Sequence, residues 1–530
     1  MIERQTNNRT IVKNTFFLYF RMMFTMLVTL YTSRVILQML GVNDYGIYQT
    51  VGGVAVILSF ISTALSSGSS RFLTYELGKK DEDKLRRTFS TVLAMHLILA
   101  FFIFLLAETI GLWFVYNKLQ IPTERMGAAV FAYHFSILTV LAMFFQVPFN
   151  ASIISHEKMN VYAYLSIIET VLKLLIVYLL AISDWDKLKL YAIFLCTLQI
   201  GITWFYRNYC TRNFVETRSK CSIDRAIIKD VLNYSGWNLW SSASIALNNQ
   251  GATILINVFF SPAIVTARAI ANQVNMAANQ FVQNFRIAVN PQIVKRYAAE
   301  DYQGSKDLLC SSTKYSYFMM LALCLPICLV TEPLLRLWLG IVPDYTVIFL
   351  QLTLVTSLFQ VFDTSFYTAL YAKGRIKENA LISPLIGFLV FPIVYLLFKS
   401  GYTPVVLAWA LLACYVLLGL VVKPILIIKI VGYTWRDIMK VFMPCFKVTI
   451  LAIPLPLVIY VFGNKLGLNE IYYNLTLILV SLFCVILSVW IIGINKENKS
   501  KYSNILKKRT LLNRAKKNII ALLALKKCEC

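Results

Sequence analysis

Apolar residues along this chain come in long runs, with few stretches of strict alternation. Many runs reach the roughly 20 residues that carry a helix across a bilayer. Read in order, they predict about fourteen spans, at about 15–40, 46–69, 89–107, 127–150, 161–182, 188–206, 233–257, 262–285, 313–331, 346–372, 380–398, 404–428, 441–462 and 473–493. The expected fold class is an all-α integral membrane protein. The first run is long enough to stay as a span and follows the polar "MIERQTNNRT", so no cleaved leader is read there.

The seventh and eighth runs differ from the rest because both are polar. In "ARAIANQVNMAANQF", residues 267–281, Arg268, Asn272, Asn275 and Asn279 recur on one helical face. Gln273, Gln280 and Gln283 widen the stripe. The seventh run adds Asn238, Ser241, Ser242, Asn248, Asn249 and Gln250. Polar groups are costly in hydrocarbon unless they are paired or wet. Bonds between helices could account for a few of them. So many over two adjacent spans, with an Arg, read better as the wall of a water-filled cavity. Amides suit sugar hydroxyls, and the guanidinium fork suits phosphate. The expected ligand is therefore an anionic, hydroxyl-rich solute.

Charge sets the orientation. When a residue within five positions of a span's end is counted with the adjoining loop, 39 of the 51 Lys and Arg fall at the N-terminus, in loops after even-numbered spans and in the tail, against 7 in the other loops. Cytoplasmic loops carry such an excess, so both termini are expected in the cytoplasm. The net charge of +25 is thus mostly topological and needs no nucleic acid; it also favours anionic lipid headgroups. The basic tail could lie on the membrane as an amphipathic helix or be solvated. None of the eleven Cys falls in an outer loop, which fits a reduced interior.

Two segments repeat 217 residues apart. "SHEKMNVYAYLSIIETVLKLLIVYLL" at 155–180 and "AKGRIKENALISPLIGFLVFPIVYLL" at 372–397 share "IVYLL", and each follows a short basic loop. A six-span duplication in parallel orientation follows. It divides the chain into an N-terminal lobe at 1–206, a basic linker at 207–232, a C-terminal lobe at 233–428, two additional spans at 429–493 and a tail at 494–530. The substrate path is expected between the lobes.

Other charges within spans each have a plain reading and a functional one. Arg21 and Arg34 could snorkel to the interfaces or, facing a cavity, form a basic track with Arg268. Glu169 and Lys173, one turn apart, read as a structural ion pair. Asp363 has no basic neighbour in sequence, and a lone intramembrane carboxylate is a candidate for ion coupling or for pairing with an Arg. The three His residues have no metal-ligand spacing, and no phosphate-binding loop is present. Neither catalytic residues, nor a metal site, nor a cofactor is expected.

"TSRVILQMLGVNDYGIYQTVGGV" resembles the first helix hairpin of the Wzx-like polysaccharide flippases, in the multidrug, oligosaccharidyl-lipid and polysaccharide exporter superfamily. "SSRFLTYELGKKDEDKLRRTFST", "NPQIVKRYAAED" and "ALYAKGRIKENALIS" continue the resemblance into later segments. It implies a two-lobed bundle of twelve core helices, here with two more, in a bacterial inner membrane. The implied activity is alternating-access export of a polyprenyl-pyrophosphate-linked oligosaccharide from inner to outer leaflet. Membrane lipids and polysaccharide assembly proteins are the implied partners. Arg34, Arg268 and Arg21 are the implied headgroup ligands. The alternatives are a drug/cation antiporter and an intramembrane polymerase or ligase on the same lipid-linked sugars. The first usually carries acidic residues in its N-terminal lobe. The second usually carries a large outer loop, whereas the longest one expected here is near 108–126.

Overall fold

The structure is a computed structural model that describes residues 2–493 except 58, 80, 157, 219–221, 376 and 464–468. The basic tail therefore lies outside the described residues, as do the side chains of Arg21 and Asn238. The described chain is almost entirely helical and forms a multi-pass membrane protein. Eleven helices are long and apolar enough to cross a membrane.

Two causes separate that figure from the fourteen spans expected. Helix α1 (Ile2–Ile57) runs through the first hairpin as one element, bent at Gly41, whose φ of 76° suits glycine. The second span then continues in α2 (Phe60–Lys79). The seventh and eighth spans form helices but are too polar to qualify by composition. They are α7, residues 225–259, and α8 (Pro262–Ala298).

The remaining membrane helices are α3 (Glu82–Lys118), α4 (Met126–Ser155), α5 (Met159–Ile182), α6 (Lys187–Asn213) and α9 (Tyr302–Leu329). A short α10 (Thr331–Leu339) precedes α11 (Thr346–Lys373), α12 (Lys377–Lys399), α13 (Val406–Val431), α14 (Trp435–Phe462) and α15 (Glu470–Gly493). Polar caps start several of them. Asp81, Asp186, Asp224 and Asp301 accept backbone N–H bonds at the starts of α3, α6, α7 and α9, and Thr434 with Asp437 forms a capping box on α14. The expected loop at 108–126 is mostly helix, because α3 continues through a π-helical turn to Lys118.

The same kind of partner recurs in the two halves. Helix α5 packs on α1, where the hydroxyls of Tyr178 and Tyr31 lie 2.7 Å apart. Its sequence counterpart α12 packs on α7, where Tyr395 meets Phe259 edge-on. Between the halves, α1 packs on α8 and α2 on α7. Helices α14 and α15 attach to the outside of α9.

Candidate functional site

Helix α8 starts cleanly. Ser261 is extended at the N-cap, and Pro262 takes the first turn, where its missing N–H costs nothing. The start of α8 sits against the elbow of α1. Thr266 Oγ1 donates to Val42 O at 2.6 Å, and a Cβ on Gly46 would lie 1.9 Å from Pro262 O, so only glycine fits there. Gln273 Nε2 donates to Thr29 O at 3.2 Å.

Two arginines lie on the segments joined by these bonds. Arg34 falls between Thr29 and Val42, and Arg268 between Thr266 and Gln273. Arg268 is 4% exposed and its Nε finds no hydrogen-bond partner. Arg34 is half-buried. No carboxylate pairs with either among the described residues. A buried cation without a counterion is costly, which makes this seam an anion-binding candidate.

Further along α8 the stripe turns to α11. Asn279 Nδ2 donates to Asn275 Oδ1 and to Ser357 Oγ, both at 3.0 Å, while Ser357 Oγ donates to Asn275 Oδ1 at 2.6 Å. These amides carry the helix–helix bonding that competes with the cavity reading. Asn272 is half-buried and Asn249 exposed; neither side chain has a partner among the described residues. Asn249 lies in a π-helical turn of α7, Leu247–Gly251.

Asp363, which has no basic neighbour in sequence, has two in space. Lys423 Nζ lies 3.1 Å from its carboxylate and also donates to Asn379 Oδ1. Arg286 stands close by, held by Thr364 through Nη1 to Oγ1 and Nη2 to the carbonyl, each at 2.5 Å. These groups line a chamber of about 770 Å³ among α7, α8, α11, α12 and α13. A π-helical turn, Leu418–Val422, leads directly into Lys423, and a Cβ on Gly419 would come within 2.6 Å of Phe359 O. That glycine lets α13 approach α11 closely enough for the ion pair.

Sequence reasoning assigned Arg286 and Lys423 to cytoplasmic loops. The available signal for Arg286 was the stripe itself: it follows Asn279 by seven residues and Arg268 by eighteen, on the same face. Glu169 and Lys173 lie 2.6 Å apart on α5. Arg125 binds both Asp44 and Asp186, joining the elbow of α1 to the segments that precede α4 and α6. The histidines are dispersed: His96 is buried against Val92 O, His134 meets Glu108 and His156 meets Glu216.

A family model described as "Polysaccharide biosynthesis protein" matches residues 11–296. No curated protein sequence matches the chain. Among solved structures, an inward-facing multidrug resistance MATE family transporter of the MOP superfamily is 15% identical, with a TM-score of 0.64 over 78% of this chain and 98% of that one. The lipid II flippase MurJ in an inward closed conformation is 11% identical, with a TM-score of 0.68 over 89% and 98%. A MOP superfamily transporter from Pyrococcus furiosus is 14% identical, with a TM-score of 0.56 over 79% and 96%. At these identities the likeness is one of fold.

Proposed function

The chain belongs to the polysaccharide biosynthesis protein family, and from that premise we propose that it moves a polyprenyl-pyrophosphate-linked oligosaccharide from the inner to the outer leaflet. The observation that carries this reading is Arg268: a guanidinium, 4% exposed, with no carboxylate paired to it among the described residues, at the seam between the two halves. A pyrophosphate supplies the missing negative charge, and Arg34 on the facing helix supplies a second donor fork. The lipid tail stays in the bilayer while the headgroup occupies the seam.

Transport then requires the α1–α8 and α2–α7 contacts to part alternately at the two faces, by rocking of one six-helix lobe against the other. The half-buried amide of Asn272, which has no partner among the described residues, gives the sugars a hydrogen-bond partner during passage. Moving a headgroup of two negative charges outward along a potential negative inside is favourable by about 2.3 kcal/mol per charge per 100 mV. The proposed setting is a bacterial inner membrane with both termini cytoplasmic. This is transport, with no bond made or broken.

The test is a flipping assay on the purified protein in vesicles with a fluorescent lipid-linked oligosaccharide. Wild type should expose the label to an impermeant quencher on the far side and leave the oligosaccharide length unchanged. Longer products would point to polymerisation, and an unchanged inner pool would remove the proposal.

A further inference from the structure

The chamber at the far end of the stripe contains more positive charge than it neutralises. Asp363 is the only carboxylate among its lining residues, and Arg286, Lys423 and Lys377 also line it. Lys423 is 2% exposed and is committed to Asp363 and Asn379. Arg286 is anchored to Thr364 through its two Nη atoms, leaving Nε buried with no partner. Across the same chamber, Asn248 Oδ1 is also buried with no partner. Asp363 Oδ1, although 3.1 Å from Lys423 Nζ, also has no hydrogen bond, so the wall presents one charged donor and two acceptors, all desolvated and unspent. Such groups cost free energy unless something bonds to them.

Size and position narrow the occupant. About 770 Å³ lies within the ~300–1,000 Å³ of small-molecule pockets. Gln283 continues the stripe from Asn279 into the chamber, so the two regions share one helix face. Arg268 and Arg286 are eighteen residues apart on it, roughly 27 Å along the helix. The chamber lies near the end of α8 that the charge asymmetry assigns to the cytoplasm, where a substrate assembled on that side first meets the protein.

We propose that this chamber is a selectivity site for an acidic sugar of the repeat unit, one bearing a single carboxylate. The inference rests on the flippase reading. The sugar carboxylate bonds Arg286 Nε, and a neighbouring hydroxyl donates to Asn248 Oδ1. Lys377 is exposed and Lys423 is neutralised by Asp363, so Arg286 is the one buried charge of the lining without a counterion, which matches a monoanion and leaves a pyrophosphate under-neutralised. The pyrophosphate belongs at Arg268.

Two measurements test this. The first is binding of methyl glucuronoside and methyl glucoside to purified protein, with inorganic pyrophosphate as competitor. The glucuronoside should bind at least tenfold tighter, and pyrophosphate should not displace it. Arg286→Gln should bring the two affinities together. Asn248→Asp, nearly isosteric, should abolish glucuronoside binding by placing a second carboxylate in the wall, which keeps the test open if Arg286→Gln misfolds. Equal binding of the two sugars by wild type, or displacement by pyrophosphate, overturns the chamber assignment.

The second measurement is vesicle flipping of matched acidic and neutral lipid-linked disaccharides. Wild type should favour the acidic one, and Arg286→Gln should erase the preference while neutral flipping continues. Flipping of both at equal rates overturns the chamber and leaves the transport reading intact. Absence of flipping with glucuronoside binding intact overturns the transport reading while the chamber stands.

Discussion

Lys423 Nζ lies 3.1 Å from the carboxylate of Asp363, linking α13 to α11 inside the bundle. The pair joins helices that the sequence separates by 60 residues, and it sets a clear mutational expectation. Removing one partner of a buried pair leaves an uncompensated charge, at a cost of about 3–5 kcal/mol, whereas removing both is often close to neutral. Lys423→Met should therefore lower the melting temperature in detergent sharply. Lys423→Met with Asp363→Asn should recover most of it. A double variant no more stable than Lys423→Met would show that the residues do not act as a pair.

A variant at Arg268 tests transport apart from folding. Arg268→Ala should abolish flipping while the protein inserts and purifies at normal yield, since no side chain among the described residues depends on it for a bond. Arg268→Lys should keep only part of the rate, because it retains charge and loses the fork. Wild-type flipping by the Ala variant at matched expression would take Arg268 out of the mechanism.

Ser357 should matter to stability first. Its hydroxyl knits Asn275 and Asn279 of α8 to α11. Interhelical hydrogen bonds in membranes average about 0.6 kcal/mol and reach about 1.7. Ser357→Ala should cost about 1 kcal/mol in reversible unfolding and leave substrate preference unchanged. A shift in preference with unaltered stability would place this cluster on the sugar path.

The clasp of Arg125 on Asp44 and Asp186 predicts an acid response. Burial alone would raise the Asp186 carboxyl, but hydrogen bonds from Arg125 and from the amides of Lys189 and Leu188 hold it below its ordinary value. A carboxyl so lowered contributes stability that is complete above about pH 4 and is lost as pH falls through the lowered value. Arg125→Met should therefore lower the melting temperature at pH 7 by the equivalent of about 2 kcal/mol. The gap from wild type should start to narrow below about pH 4 and go on narrowing as the pH falls. A gap that does not change with pH would assign the loss to packing instead.

The helical membrane fold was legible because it is written in composition. Apolar runs give the helices, while alternation of basic loops gives an expected orientation that labelling of the loops would test. The bend at Gly41 and the polarity of α7 and α8 account for the differences in span number. Partnerships were harder to read. The pairing of Glu169 with Lys173 is visible because one helix turn joins them. Asp363 and Lys423 look unrelated in sequence, since nothing short of the α11–α13 packing brings them together. Arg286 was readable in principle, on the same helical face as Arg268. It was lost because the apolar run ends near 285, while the helix continues to Ala298.

The polarity of α8 bears on how the protein enters the membrane. A segment with an Arg and three Asn on one face has little tendency to leave the translocation channel for lipid by itself, since one Arg at mid-bilayer costs about 2.5–3.5 kcal/mol on insertion scales. The groups that satisfy this face, Ser357 and Thr364, lie on α11 and are synthesised more than seventy residues after Asn279. Residence of α8 in the bilayer thus depends on a helix not yet made when α8 emerges. Insertion of the second half should therefore be cooperative: a chain truncated before α11 should leave α8 outside the hydrocarbon more often than the full chain does, its bonds to α1 alone leaving Asn275, Asn279 and Arg286 without their partners.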